Sequence, residues 1–151
     1  MGTRASNLFF RVISVTIAVL GVSKLYLSMS DEPQLRIDDP VFQYLSLRQS
    51  TFIASTIELI SGYYLFTNSS NYIRSVVVFW LAGVFLCYKI IIVVFNLPRP
   101  CKCLGIIHNL LGMSSHFSEL VTWILIAIML IGSATVFFRK QDNIAANAFI
   151  K

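Results

Sequence analysis

Four long apolar stretches, separated by short polar segments, dominate the pattern of hydrophobic positions along the chain. They cover residues 7–29, 48–66, 72–95 and 118–138. Each has roughly the 20 residues that an α-helix needs to cross about 30 Å of hydrocarbon. The pattern predicts an all-α integral membrane protein, a bundle of four transmembrane helices that forms a single domain over residues 1–151.

The polar segments between these stretches predict the loops. Residues 30–47 are acidic and contain prolines, and positions 41–47 are expected to form a short amphipathic piece on the membrane surface. Apolar positions in 106–113 recur at helical spacing and predict a short interfacial helix before the last span. Arg139 and Lys140 are expected to stop the last span, and the tail from Gln141 to Lys151 is expected to be loosely held.

Composition agrees with a membrane location. Hydrophobic residues make up 56% of the chain and charged residues 13%, with a mean hydropathy of +0.74, whereas soluble domains are roughly half apolar and about a quarter charged. The net charge is +5, from 12 Lys and Arg against 7 Asp and Glu. Such an excess in a membrane protein sets orientation, so we expect contact with a lipid bilayer and no nucleic-acid partner.

The distribution of basic residues predicts the orientation. Four spans place both termini on one side, and that side carries more basic residues than the loops opposite. The first group comprises Arg4, Arg11, Arg74, Arg139, Lys140 and Lys151, and the second comprises Arg36, Arg48, Arg99 and Lys102. We therefore expect a multi-pass protein of a bacterial cytoplasmic (inner) membrane, with cytoplasmic termini and the cysteine-containing loop outside, where a disulfide can persist.

The third loop carries the candidate chemistry. Cys101 and Cys103 stand one residue apart, and the positive charges of Arg99 and Lys102 favour the thiolate form. A disulfide across a single residue lies near the limit of the allowed geometry and would be reduced easily. The pair is therefore predicted to be catalytic, as a component of a membrane thiol–disulfide oxidoreductase.

Two other interpretations of the cysteine pair stay open. The thiolates would bind a soft metal such as Cu(I) in a transporter or metallochaperone if His108 or His116 contributed a ligand, although the spacing of the histidines is unusual for a metal site. Alternatively, the cysteines are structural, and the protein is a non-enzymatic membrane scaffold or assembly subunit. The spacing favours the redox interpretation, and no metal site is predicted.

Charged residues inside the apolar stretches form a second candidate group. Lys24, Glu58 and Lys89 lie within predicted spans, where each charge costs about 2.5–3.5 kcal/mol on insertion scales. We expect Glu58 to form an ion pair with Lys24 or Lys89 beneath the cysteine loop. The alternative for the lysines is to extend their ammonium groups to the lipid headgroups.

These residues together resemble the MauE/DoxX family of redox-associated membrane proteins. The resemblance covers roughly residues 8–138, and its most specific element is the run Pro100, Cys101, Lys102, Cys103, Leu104 and Gly105. Supporting positions are Gly21, Lys24, Leu25, Glu58, Leu59, Gly62, Tyr88 and Lys89. The resemblance implies a four-helix membrane protein that supports extracytoplasmic thiol–disulfide exchange, as in the maturation of disulfide-containing proteins during methylamine utilisation.

The expected architecture is also similar to DsbB and vitamin K epoxide reductase, which pass electrons from thiols to quinone. Those enzymes use two cysteine pairs, whereas this chain has three cysteines and none in its first outer loop. The resemblance therefore implies that a partner, such as an extracytoplasmic thioredoxin-like protein, supplies the second dithiol. It also makes quinone the cofactor to consider, with no binding residue assigned.

Overall fold

A computed structural model of the chain describes residues 3–68, 70–97 and 115–148. These residues form four α-helices, which are α1 (Thr3–Met29), α2 (Leu47–Thr67), α3 (Asn71–Val94) and α4 (Ser115–Ala148). The described residues contain no β-strand, apart from an isolated bridge between Asp38 and Ser46. The predicted all-α class is confirmed for this part of the chain.

Within the described residues, three helical segments are long and apolar enough to cross a membrane. They are Ser6–Met29, Asn71–Val94 and Glu119–Phe138, and they coincide with the first, third and fourth predicted spans. Helix α2 has 21 residues, a length of about 31 Å, but Glu58 and several hydroxyl side chains make it less apolar. The chain is therefore a multi-pass membrane protein by the length and composition of its helices, and α2 as a span stays a prediction.

Small residues allow the helices to pack closely in antiparallel pairs. Between α1 and α2, Ser14 Oγ donates to the Gly62 carbonyl oxygen at 2.7 Å, and a Cβ placed on Gly21 would lie only 3.0 Å from Leu59 Cγ. Between α3 and α4, Ser75 Oγ donates to the Ser133 carbonyl oxygen at 2.5 Å. Close approach at small residues, with hydroxyl groups bonded across helices, is the usual mode of helix association in membranes.

One apolar core draws on all four helices. Its buried members are Phe10, Ile13, Ile17, Leu65, Val78, Leu81, Ala82 and Met129. Phe9 of α1 also packs against α4 at Gly132, where a Cβ would lie 2.2 Å from the ring. We call the end of the bundle with the helix termini Thr3, Thr67 and Asn71 the N-terminal end. The opposite end, with the helix termini Met29, Leu47, Val94 and Ser115, is the loop end. The apolar core lies toward the N-terminal end.

The segments that flank the spans have different outcomes. The first loop has a 3₁₀ turn at Pro33–Arg36 and closes through an Asp39 N–H bond to the Leu45 carbonyl oxygen at 2.8 Å, and the amphipathic surface piece at 41–47 stays a prediction. The last apolar span ends at Phe138, directly before Arg139 and Lys140, as predicted, and the helix itself continues past these two residues to Ala148. No proline or glycine follows them in residues 141–148 to interrupt the helix.

Candidate functional site

The predicted cysteine motif lies outside the residues that the structure describes. The residues concerned are Arg99, Pro100, Cys101, Lys102, Cys103, Leu104 and Gly105, and the predicted interfacial helix falls in the same segment, 98–114. Its attachment points are described: α3 leads into it through Leu97, and α4 follows it from Ser115. The motif is therefore tethered at the loop end, and its chemistry stays a prediction.

Lys24 and Glu58 form an ion pair between α1 and α2 near the middle of the bundle, since Glu58 lies about 16 Å of helix from Leu47. Lys24 Nζ donates to Glu58 Oε1, and the two side chains are 14% and 2% exposed. Close packing at Gly21 positions the pair, since a Cβ at Gly21 would lie 3.2 Å from Glu58 Cβ. The predicted pairing of Glu58 with a lysine is confirmed, and Lys24 does not extend away from the helices to the headgroups.

Helix α3 adds an aromatic ring and a second buried lysine to this region. The Lys24 ammonium nitrogen lies 5.0 Å from the centroid of the Phe85 ring, a distance suited to a cation–π interaction. Lys89, one turn further along α3, is buried with 4% of its surface exposed. Glu58 Oε2 is buried and has no hydrogen-bond partner among the described residues, so the carboxylate retains one unused acceptor atom.

The first loop covers the loop end of α3 through Asp39. This residue is 1% exposed, and its Oδ1 accepts from the N–H groups of Val41 and Phe42 at 2.8 and 3.0 Å. Tyr88 of α3 donates its hydroxyl to Asp39 Oδ2 at 3.3 Å, and its ring stacks on that of Phe42 at 6.3 Å. Sequence reasoning missed this role, although Asp followed by Pro40 is a turn signal.

A groove of about 550 Å³ opens between α1, α2 and the first loop. Its lining is Ser28, Met29, Leu45, Arg48, Gln49, Phe52 and Ile53. Arg48 Nη2 donates to the Ser30 carbonyl oxygen at 2.7 Å and to Asp31 Oδ1 at 3.3 Å. The groove therefore has apolar walls beside the guanidinium of Arg48.

The remaining candidates add no further site in the described part of the chain. Cys87 has a free thiol that is exposed on the outer surface of α3. Among the side chains that the structure describes, no cluster of three metal-ligating groups occurs, and His108 and the side chain of His116 are not among them.

Comparison with known proteins identifies no relative of the chain. No protein family model, no curated protein and no solved structure matches the chain. The resemblance to MauE/DoxX proteins therefore rests on the sequence positions given above, and it stays a prediction.

Proposed function

We propose that this protein is a four-span membrane protein in which Cys101 and Cys103 carry out thiol–disulfide exchange on the extracytoplasmic side. The observation that carries the proposal is the Lys24–Glu58 pair inside the bundle, on the loop side of the apolar core; the segment bearing both cysteines is attached at the loop end. Ionised groups inside apolar helices are costly and are retained where they serve a function. Buried Lys89 on α3 adds positive charge at the same end.

Helix α2 is the fourth span in this proposal. Two hydrogen bonds mark how far α2 runs along α1. Arg48 donates to the carbonyl oxygen of Ser30, directly after α1, and the Gly62 carbonyl oxygen accepts from Ser14 of α1. That separation corresponds to about 21 Å of helix. Packing over such a length against a membrane-crossing neighbour supports α2 as a span, and its Ser55, Glu58 and Ser61 are buried against protein.

The proposed exchange proceeds by thiolate attack. A thiolate of the thioredoxin-like partner attacks the disulfide between Cys101 and Cys103, forming a mixed disulfide while the other cysteine leaves as a thiolate. The second partner thiolate then displaces the remaining cysteine, so the partner becomes a disulfide and this chain holds the dithiol with two additional electrons. Arg99 and Lys102 stabilise the thiolates that leave. The reverse reaction makes and breaks the same bonds in the opposite order.

Returning the dithiol to the disulfide requires an oxidant, and the resemblance implies a quinone, which would accept the two electrons and two protons. The groove beside Arg48 has a suitable lining for its ring. Phe52 and Ile53 would provide the apolar walls, and Arg48 would donate hydrogen bonds to a carbonyl oxygen.

The decisive experiment replaces both cysteines. Cys101→Ser with Cys103→Ser should abolish oxidation of an extracytoplasmic reporter protein, whereas Cys87→Ser, a matched control on the outer surface of α3, should leave it unchanged. A single serine variant should accumulate a mixed disulfide with its partner, which mass spectrometry can identify. Unchanged reporter oxidation in the double variant would refute the exchange and favour a non-enzymatic scaffold; cysteine-dependent metal content would favour the soft-metal interpretation.

The proposed orientation is tested in the Cys87→Ser background, where only Cys101 and Cys103 remain. After mild reduction, a membrane-impermeant thiol reagent added to intact cells or spheroplasts should label these two cysteines. Labelling only after the membrane is permeabilised would place the loop in the cytoplasm and contradict the proposal.

A further inference from the structure

A second buried basic residue lies at the N-terminal end of the bundle, far from the cysteine segment. Arg74 is in the first turns of α3, and only 7% of its surface is exposed. Its Nη1 lies 3.5 Å from Asn7 Oδ1, a weak contact, and its Nε has no hydrogen-bond partner among the described residues. No carboxylate in the described part of the chain forms an ion pair with it.

This placement is electrostatically unfavourable for a cation on its own. Burial removes the guanidinium from water, and the first turns of a helix carry the positive end of the helix dipole. The cap residue Ser70 makes no side-chain hydrogen bond to the first amides of α3, so donors there are left without that partner. Lys24 differs in having Glu58 as its counter-charge. An anion beside Arg74 would offset both unfavourable terms.

The surrounding side chains form a polar cluster between α1 and α3. Asn71 Nδ2 donates to Ser6 Oγ at 3.2 Å, whereas Asn71 Oδ1 is buried without a partner among the described residues. The cluster therefore has an unused donor on Arg74 and an unused acceptor on Asn71. A phosphate group fits both requirements, because its oxygens accept paired bonds from a guanidinium, and a P–OH or a hydroxylated substituent can donate to the amide oxygen.

The position along the helices agrees with this chemistry. Arg74 lies at the start of the Asn71–Val94 span, so it is at the depth where a bilayer presents the phosphates of its headgroups. We infer that Arg74, together with Asn7 and Asn71, forms a binding site for a phosphate group, supplied either by a phospholipid headgroup or by free inorganic phosphate.

The test uses the full chain, purified in a non-ionic detergent and a phosphate-free buffer. Inorganic phosphate, phosphatidylglycerol or phosphate-free diacylglycerol is added, and the thermal unfolding midpoint is followed as a function of concentration. One phosphate-containing probe should raise the midpoint, and diacylglycerol should not. Arg74→Gln should weaken the apparent affinity roughly tenfold or more, since a hydrogen bond to a charged group is lost.

The matched control is Arg11→Gln, which removes an exposed arginine of α1 near the same end of the bundle and should behave as the unmodified protein does. Stabilisation by phosphatidylglycerol alone assigns the site to a lipid headgroup, and stabilisation by inorganic phosphate assigns it to the free anion. The site is refuted if the probes shift the unfolding midpoint equally in the unmodified protein and in Arg74→Gln. It is also refuted if Arg74→Gln and Arg11→Gln lose the same amount of apparent affinity.

Direct binding keeps the inference testable if Arg74→Gln does not fold. Native mass spectrometry of the unmodified chain should then show phosphatidylglycerol retained in preference to diacylglycerol, or inorganic phosphate retained at low millimolar concentration. Retention of none of these probes would overturn the site without any variant.

Discussion

The two ends of the bundle hold their helices together by different means. At the N-terminal end, apolar side chains from all four helices meet, with Phe10 and Leu65 fully buried and Phe9 packed on Gly132. At the loop end, the buried apolar cluster comprises Leu27, Leu35 and Leu47, none of which belongs to α3 or α4.

Polar and aromatic contacts connect α3 to its neighbours at the loop end. They are the Tyr88 bond to Asp39 of the first loop and, further into the bundle, the Lys24 contact with the Phe85 ring, which also packs against the apolar core. Hydrogen bonds are directional and their strength depends on solvent access, whereas apolar packing depends mainly on volume and shape. The comparison predicts that the apolar core at the N-terminal end contributes most of the fold stability.

The largest effect is expected from Phe10→Ala, which removes a fully buried ring from the core. The cavity should reduce the free energy of unfolding by about 3–5 kcal/mol, measured by denaturant unfolding in one detergent. The control is Phe66→Ala on α2, whose side chain is 62% exposed, and its effect should lie within about 0.5 kcal/mol. Similar losses in both variants would mean that the N-terminal core does not dominate stability.

A smaller loss is expected from Glu58→Ala, which leaves the Lys24 ammonium without its counter-charge. The free energy of unfolding should fall by about 1–3 kcal/mol, and the double variant Lys24→Met with Glu58→Leu should recover most of it. The control is Asp31→Ala, since Asp31 is 88% exposed beside Arg48 and such a pair contributes less than about 1 kcal/mol.

The same double variant separates stability from function. If the ion pair positions the cysteine segment, reporter oxidation should stay impaired in the double variant although stability returns. Full recovery of both would assign the pair a structural role only.

The smallest effect is expected from Tyr88→Phe, which removes the hydroxyl bonded to Asp39 and keeps the ring stacked on Phe42. A loss of about 0.5–1.5 kcal/mol should appear as faster amide hydrogen exchange in residues 39–45, with little change in global unfolding. Tyr63→Phe is the control, because Tyr63 is 72% exposed on α2. Unchanged exchange in the first loop would show that Asp39 is held by its own turn alone.

Sequence reasoning succeeded where a single physical cost dominated. The cost of a carboxylate within an apolar helix required a partner for Glu58, and helix spacing restricted that partner to two lysines. The C-terminal bound of α1 and, to within one residue, both bounds of α3 followed from apolar length in the same way. Reasoning failed for the first loop, because the buried role of Asp39 depends on Tyr88, which is distant in sequence. Arg74 was interpreted only as an orientation signal, although it shares the buried face of α3 with Val78 and Leu81.

Helix α4 has 34 residues, so it is about 51 Å long, whereas the hydrocarbon layer is about 30 Å thick. Its apolar part ends at Phe138, and residues 139–148 continue the helix for about 15 Å. A probe or fused domain joined to this extension would be displaced from the bilayer along a continuous rod rather than a slack tether. Distances measured from that point to the headgroups would therefore report the tilt of the whole bundle.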